Sequence, residues 1–308
     1  MFKKLIVILG PTATGKTELS IKLASKFNSE IISADSRQVY KGMDIGTGKV
    51  TKKEMEGISH YLLDVVSPKS YFTVAQYQKL AQKAINKILG NGKIPFLVGG
   101  SPFYIYSIVE GWQFPKLKPD WKLRKDLEKK SSSELFKILK KLDKERVKNI
   151  DKSNKRRLIR AIEIAKKLGK VPKIKKSPQY NCLLIGIKKE LEVLKNLIEK
   201  RLLKRFRQGM IKEVEILHKN NVSWKRLEEF GLEYKWIARF LQKKINYEEM
   251  LERLQKDIEH FAKRQMTWFK KDKRIKWVKN YQEAEKLIKN FLPPNKVKKQ
   301  GSAECEFL

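Results

Sequence analysis

The stretch LIVILGPTATGKT, residues 5–17, combines two features that decide the fold. Leu5 to Leu9 is an unbroken apolar run, which is typical of a strand buried on both faces of a parallel sheet. The next eight residues fit the pattern G-x-x-x-x-G-K-[ST], in which a loop between a strand and a helix wraps its backbone amides around phosphate oxygens. We therefore predict a loop that binds a di- or triphosphate. The candidate phosphate-binding residues are Gly10, Pro11, Thr12, Ala13, Thr14, Gly15, Lys16 and Thr17.

Three properties of this loop suit a phosphate group that binds together with a metal ion. The helix that follows the loop presents the positive end of its dipole at its N-terminus. Lys16 adds a positive charge, and the Thr17 hydroxyl is a candidate ligand for Mg²⁺. The motif alone does not identify which phosphate compound binds.

Beyond the loop, strand and helix patterns alternate along the first hundred residues. Thr73 is a candidate N-cap of a helix that Gly90 ends. A βαβ succession of this kind predicts a doubly wound parallel sheet, and hence an α/β fold like that of phosphate-loop NTPases. Strands are predicted at residues 5–9, 30–33, 61–66, 94–98, 182–187 and 275–278, and helices at 16–27, 73–90, 190–209 and 247–270.

The pattern changes near Pro115, and this change suggests the domain organisation. Residues 116–180 show only helical patterns with many basic side chains, and we interpret them as a helical insertion. Residues 1–115 and 181–292 would form the two parts of the core. Residues 293–308 lack periodicity and are expected to be disordered.

The charge of the chain limits its partners. The 70 Lys and Arg residues against 34 Asp and Glu give a formal net charge of +36, which favours a nucleic-acid partner, although scattered lysines explain part of the excess. No apolar run is long enough to span a membrane, and residues 3–9 are too short for a signal peptide, so we expect a cytoplasmic protein. Cys182 and Cys305 give neither a disulfide framework nor metal-ligand spacing.

Asp35 follows the second predicted strand and is the candidate general base. Carboxyl ends of parallel strands face the ligand crevice, so its carboxylate should point toward the bound phosphates. An isolated aspartate there is also common as a turn or cap residue. The fourth strand ends in Gly99 and Gly100 without the acid that a phosphate-loop NTPase places there, and Asp64 is the remaining candidate for that acid.

Six stretches of the sequence resemble bacterial tRNA dimethylallyltransferases and occur in the same order. The resemblance extends from Leu5 to Trp277, and the third and sixth stretches are the most specific. The six are GPTATGKT at 10–17, DSRQVY at 35–40, MDIGT at 43–47, GGS at 99–101, RRLIRAIE at 156–163 and AKRQMTWF at 262–269.

The resemblance implies the reaction and its participants. A dimethylallyl group would pass from dimethylallyl diphosphate to the N6 amine of the adenosine 3′ of the anticodon in tRNA, with release of diphosphate. It implies that Asp35 is the base, that Arg205 lies near the leaving diphosphate and that Thr17 holds Mg²⁺. The target base should leave its stack to react, and a monomer is expected.

The resemblance also makes the helical insertion at 116–180 the expected tRNA-binding domain. The implied tRNA contacts lie partly in this insertion and partly in the core. They are Asp35, Ser36, Arg37, Gln38, Ser101, Arg124, Arg156, Arg157, Leu158, Ile159 and Arg160.

Some positions depart from the family pattern, and two other functions stay open. Ser101 stands where threonine is usual, Gly48 where alanine is frequent, and residues 231–235 read GLEYK in place of the common Gly-Tyr-Lys. Trp268 is predicted to pack inside the protein, with the neighbouring cations facing phosphates. The alternatives are a phosphate-loop kinase of a nucleotide or small metabolite and an RNA-binding NTPase.

Overall fold

A computed structural model of the chain describes residues 3–292; the tail predicted to be disordered, 293–308, lies outside the described residues. The strands are β1 Lys3–Leu9, β2 Ser29–Ser33, β3 His60–Tyr61, β4 Ile94–Gly99, β5 Trp112–Gln113, β6 Lys175–Lys176, β7 Tyr180–Ile187 and β8 Lys276–Val278. The α-helices are α1 Lys16–Lys26, α2 Val74–Gly90, α3 Pro102–Val109, α4 Trp121–Glu128, α5 Ser132–Leu142, α6 Lys155–Leu168, α7 Leu191–Arg207, α8 Met210–Lys219, α9 Trp224–Phe230, α10 Leu232–Leu241, α11 Tyr247–Phe269 and α12 Tyr281–Phe291.

Six strands form one parallel sheet in the order β3-β2-β4-β1-β7-β8. On one face, Ile6 and Ile8 pack with side chains of α1 and α12. Their neighbours Leu5, Val7 and Leu9 point to the opposite face, and α2 packs on β2 and β4. Helices thus cover both faces, and the predicted α/β fold with a doubly wound parallel sheet is confirmed.

The first strand and helix form where the sequence predicts them. All five residues from Leu5 to Leu9 are fully buried, as expected of a strand with helices on both faces. Gly15 precedes α1 with a φ of 83°, a left-handed conformation that glycine adopts without strain. Thr73 caps α2 in a capping box: its hydroxyl accepts a hydrogen bond from the Gln76 backbone N–H, and the Gln76 side chain accepts one from the Thr73 backbone N–H.

The prediction of the third strand is wrong for most of the residues it covers. The sequence predicts a strand at 61–66, but β3 contains only His60 and Tyr61. Leu62 and Asp64 have φ values of 67° and 56°, in the left-handed region, so the chain turns away from the sheet after Tyr61. Val66 returns to form one isolated bridge with Tyr40.

Residues 112–177 form a compact unit of their own, while residues 3–111 and 178–292 form the other unit. The limits of the small unit differ by three to four residues from the predicted insertion at 116–180. It contains α4, α5, a short 3₁₀ helix at Arg146–Asn149 and α6, with Leu135 and Leu158 in its apolar core. The sequence predicted only helices in this region. The structure corrects this prediction, because β5 and β6 form a short antiparallel pair of two residues each. Across residues 3–292, no helix is both long and apolar enough to cross a membrane.

Candidate active site

A cavity in the larger unit lies at the carboxyl ends of β2 and β4 and beside the loop that follows β1, where ligands bind in doubly wound sheets. Its lining comes from segments that are far apart in the sequence. The polar lining residues are Thr12, Lys16, Thr17, Ser20, Ser33, Asp35, Gln38, Thr47, His60, Arg201, Arg205 and Gln265. The sequence-predicted loop, Asp35 and Arg205 therefore meet in one place.

The phosphate loop brings a lysine with an unusual acidity into the cavity. The Lys16 ammonium donates a hydrogen bond to the Pro11 carbonyl at 2.6 Å, and the Thr14 hydroxyl donates to the same carbonyl at 2.9 Å. Burial lowers the pKa of Lys16 to about 7, with a further contribution from the positive charge of Arg201. The Thr17 hydroxyl lines the cavity from an exposed side chain.

Gln265 on α11 connects the phosphate loop to the end of β4. Its side chain is buried, and its amide nitrogen donates to the Gly100 carbonyl at 2.7 Å. Its amide oxygen accepts from the backbone N–H of Thr12 at 2.9 Å. Both ends of the amide are therefore satisfied, and the distance between the loop and β4 is set by one side chain. Sequence reasoning gave Gln265 no separate role.

Arg201 is a second cation of the site that sequence reasoning missed. Its guanidinium donates to the Thr12 hydroxyl. Burial lowers the pKa of Arg201 to about 9, and the neighbouring charge of Arg205 adds to this effect. The spacing could have indicated this residue, because Arg201 and Arg205 are four apart on α7 and so lie on one helix face.

Arg205 lines the cavity, and its guanidinium is engaged by the protein. It is 7% exposed and donates to the Gly46 carbonyl at 3.0 Å and to the Glu233 carboxylate at 3.2 Å. A Cβ atom on Gly48 would lie 1.8 Å from a guanidinium nitrogen of Arg205, so this arginine position requires glycine at 48. Burial raises the pKa of Glu233, and Arg205 partly offsets this effect.

A buried carboxylate holds the loop that carries Gly46 and Gly48. Glu213 on α8 accepts hydrogen bonds from the backbone amides of Asp44 at 2.8 Å, Ile45 at 2.6 Å and Gly46 at 3.1 Å. It also accepts from the Tyr234 hydroxyl at 2.8 Å. Four donors around one buried carboxylate replace its lost hydration and fix this loop against α8 and α10.

Asp35 is both a turn residue and a lining residue of the cavity. One of its carboxylate oxygens accepts from the amides of Arg37 at 2.8 Å and Gln38 at 3.3 Å. The Arg37 side chain is directed toward α9, since its guanidinium donates a hydrogen bond to the Phe230 carbonyl at 2.8 Å. The Ser101 hydroxyl accepts from the Ser36 amide at 3.0 Å, and Ser101 does not line the cavity.

Asp64, the alternative acid for a metal ion, lies elsewhere. Its carboxylate accepts from the Lys49 ammonium at 2.6 Å, and the residue is not part of the cavity. Within residues 3–292, no group of three or more His, Cys, Asp or Glu side chains could hold a metal ion. A metal ion at this site would therefore depend on few protein oxygens.

The rest of the cavity wall is apolar. Ile31, Val50, Leu63 and Val98 line it and also belong to, or pack against, the core between the sheet and α1. Phe261 lines it from α11. The cavity thus joins a cationic end, suited to phosphate, to an apolar wall, suited to a short hydrocarbon.

In the smaller unit, the predicted tRNA contacts are of three kinds. Leu158 and Ile159 are buried in its core. The contact with tRNA that the resemblance implies for them stays a prediction. Arg156 and Arg157 are exposed on α6. Arg160 is held by the carboxylate of Glu163.

Glu163 on α6 is fully buried and organises two arginines. It accepts two hydrogen bonds from Arg124, at 3.0 and 2.8 Å, and one from Arg160, and the Asp120 amide donates to it as well. Burial raises the pKa of Glu163, but these hydrogen bonds outweigh burial and lower the pKa to about 2. The side chains of Arg124 and Arg160 remain 23% and 34% exposed.

The position of Trp268 also corrects a prediction. Phe269 is the fully buried aromatic residue of this segment, whereas Trp268 is 41% exposed. The prediction that Trp268 packs inside the protein is therefore wrong, because its ring contacts Phe103 at the surface.

Fold and cavity together define a phosphate-loop protein of the α/β class, with a cationic pocket, one carboxylate and an apolar wall. The sequence model of the IPP transferase family matches residues 38–272, and the chain belongs to that family. The resemblance in the six sequence stretches is thereby confirmed, and the chain is a prenyltransferase.

Individual relatives agree over nearly the whole length. The tRNA dimethylallyltransferase of Acetivibrio thermocellus is 41% identical over 298 residues, which cover 93% of this chain and 95% of that protein. The crystal structure of the full-length tRNA isopentenylpyrophosphate transferase from Bacillus halodurans has a TM-score of 0.71 at 34% identity and covers 96% and 97% of the two chains. A structure of a eukaryotic dimethylallyltransferase acting on tRNA has a TM-score of 0.75 at 29% identity and covers 87% and 70%.

Proposed function

We propose that the protein transfers a dimethylallyl group from dimethylallyl diphosphate to the N6 amine of the adenosine 3′ of the anticodon in tRNA. The observation that carries the proposal is the cavity itself, in which the phosphate loop, Asp35 and an apolar wall meet. The diphosphate would lie at the cationic end, and the five-carbon group would lie against the apolar wall.

The cationic end is suited to a leaving diphosphate. Lys16 and Arg201 supply positive charge, and the N-terminal amides of α1 lack carbonyl partners within the helix and can donate to phosphate oxygens. Charge of this kind, placed in advance, stabilises the negative charge that grows on the leaving group. Arg205 adds positive charge at the cavity wall, where its guanidinium is hydrogen-bonded to the Gly46 carbonyl and the Glu233 carboxylate.

The reaction requires one bond to form, one bond to break and one proton to move. The adenine amine attacks the allylic carbon, and the carbon–oxygen bond to diphosphate breaks with its electron pair on the leaving oxygen. Asp35 accepts the proton that the amine loses. Its turn hydrogen bonds from Arg37 and Gln38 fix the carboxylate at the cavity.

The donor set of the cavity fits Mg²⁺. This ion is usually held by one or two protein oxygens, several waters and the phosphate oxygens of a substrate, and needs no cage of protein ligands. Thr17 would hold it, with the diphosphate. When bound, Mg²⁺ would supply positive charge to the departing diphosphate.

The small unit is proposed to bind tRNA. Arg156 and Arg157 are exposed on α6, and Arg124 and Arg160 keep part of their guanidinium surface exposed beside Glu163. Arginines in such positions suit phosphate groups, which fix the register of a nucleic acid on a protein. The net charge of +36 supports a polyanionic partner. We propose a monomer in the cytoplasm.

A labelling experiment tests the proposal. The protein is incubated with radiolabelled dimethylallyl diphosphate, unmodified tRNA and Mg²⁺, and in parallel with ATP alone. Label in tRNA is the expected result, with loss of transfer in EDTA and recovery on addition of Mg²⁺. ATP hydrolysis without transfer of label would refute the proposal in favour of an NTPase.

A further inference from the structure

An exposed aromatic pair lies next to the cavity. The rings of Phe103 and Trp268 have centroids 5.1 Å apart, and both residues are 41% exposed. They come from different elements, since Phe103 is in the first turn of α3 and Trp268 is near the end of α11. Two large rings that touch each other and still face solvent form a platform for a third planar group.

Trp268 extends from α11, which lines the cavity, and Phe103 lies on α3, which begins directly after Ser101 and the lining glycines Gly99 and Gly100. Phe261 and Gln265 line it from α11, and Trp268 continues the same helix face one turn further, about 4.5 Å along the axis. Phe103 follows the lining residue Gly100 by three positions. The aromatic pair therefore lies at the rim of the cavity.

Exposed cationic side chains flank Trp268 in the sequence. Lys263 and Arg264 precede Trp268 on α11, and Lys270 and Lys271 follow it, all with exposed side chains. The nearby carboxylate of Asp272 is engaged by Arg274 at 2.7 Å. Aromatic rings among exposed cations match single-stranded nucleic acid, in which bases stack on rings and phosphates meet the cations.

We propose that Phe103 and Trp268 stack an unpaired base of the RNA substrate within two nucleotides of the target adenosine, a proposal that rests on the proposed function. An unpaired base is the occupant because a duplex buries the base faces that stacking requires. The closeness of the platform to the cavity places the base beside the one that reacts. The stacked neighbour would hold the strand open while the target base enters the cavity.

The test measures the affinity of the protein for an unmodified hairpin with a seven-nucleotide anticodon loop, without prenyl diphosphate. Trp268→Ala is expected to weaken binding about tenfold, the effect of losing one stacked base. Trp268→Phe should restore most of the affinity, and Phe103→Ala should repeat the loss from the other element. Tyr247→Ala is the matched control, since Tyr247 is 39% exposed on the same helix about 31 Å away.

A set of hairpins, each with one abasic loop position, identifies the stacked base. At one position within two nucleotides of the target adenosine, Trp268→Ala should cause no further loss, because the base it stacks is already absent. The platform is refuted if the loss is equal for every abasic hairpin, or if Trp268→Ala and Phe103→Ala bind as the unsubstituted protein does. Transfer of label by the unsubstituted protein, measured separately, distinguishes failure of the platform from failure of the proposed function.

Discussion

The buried carboxylate of Glu163 gives the sharpest prediction for the small unit. Replacing it with glutamine keeps the size of the side chain but removes the charge that Arg124 and Arg160 share. The pKa of Glu163 falls from the usual 4.5 to about 2 in the folded protein, which corresponds to about 3 kcal/mol of stability. Because the folded pKa is the lower one, this stability is complete above pH 4.5 and is lost as the pH falls toward 2.

Hydrogen exchange of the amides in residues 112–177 measures this loss locally, without requiring two-state unfolding of the whole chain. Glu163→Gln should raise the exchange rate of the slowest amides in this unit by roughly 150-fold at neutral pH, as about 3 kcal/mol implies. Glu145→Gln is the matched control, because Glu145 also forms an ion pair, with Lys148, but its side chain is 80% exposed. An ion pair at the surface should contribute less than about 0.5 kcal/mol to stability.

Equal exchange rates in the two variants would refute this reasoning. That result would mean that the hydrogen bonds of Glu163 only offset the cost of burying its charge, as happens for some buried ion pairs.

Three further predictions concern the reaction and the RNA surface. Asp35→Asn keeps an oxygen for the turn but removes the base, so turnover should fall roughly 10²–10⁴-fold at unchanged tRNA affinity; unchanged turnover would exclude Asp35 as base. The KM for dimethylallyl diphosphate should rise with pH above about 7, as Lys16 loses the charge that binds the anion, and this rise should be absent in Lys16→Met; parallel pH profiles would contradict it. Replacing Arg156, Arg157 and Arg160 with glutamine should flatten the plot of log affinity against log salt by about one for each phosphate that these arginines neutralise, and an unchanged slope would place the RNA surface elsewhere.

Local features of the sequence predicted the local features of the fold. The apolar run before Gly10 and the glycine pattern after it were enough to predict β1, the phosphate loop and α1. Thr73 predicted the start of α2, because a capping box needs only residues within one turn. The strand predicted at 61–66 failed because its apolar pattern carries no sign of the left-handed backbone at Leu62 and Asp64.

The contacts that complete the site depend on the tertiary structure and could not be predicted in this way. Gln265 holds Thr12 across 253 positions, and no periodic pattern connects residues so far apart. Trp268 and Phe269 are adjacent aromatic residues, and only the packing of α11 decides that Phe269 is buried and Trp268 is exposed. The resemblance predicted Arg205 at the site, but not its partner Glu233.

The carboxylate of Glu213 has a mechanical consequence for the loop at residues 43–48. Three successive amides of this loop share one acceptor, so the loop cannot peel away one hydrogen bond at a time without leaving a charge in the interior. Its opening would be an all-or-none event that leaves the Tyr234 hydroxyl as the remaining donor to Glu213. We therefore expect residues 43–48 to move as one unit, and not by fraying one hydrogen bond at a time.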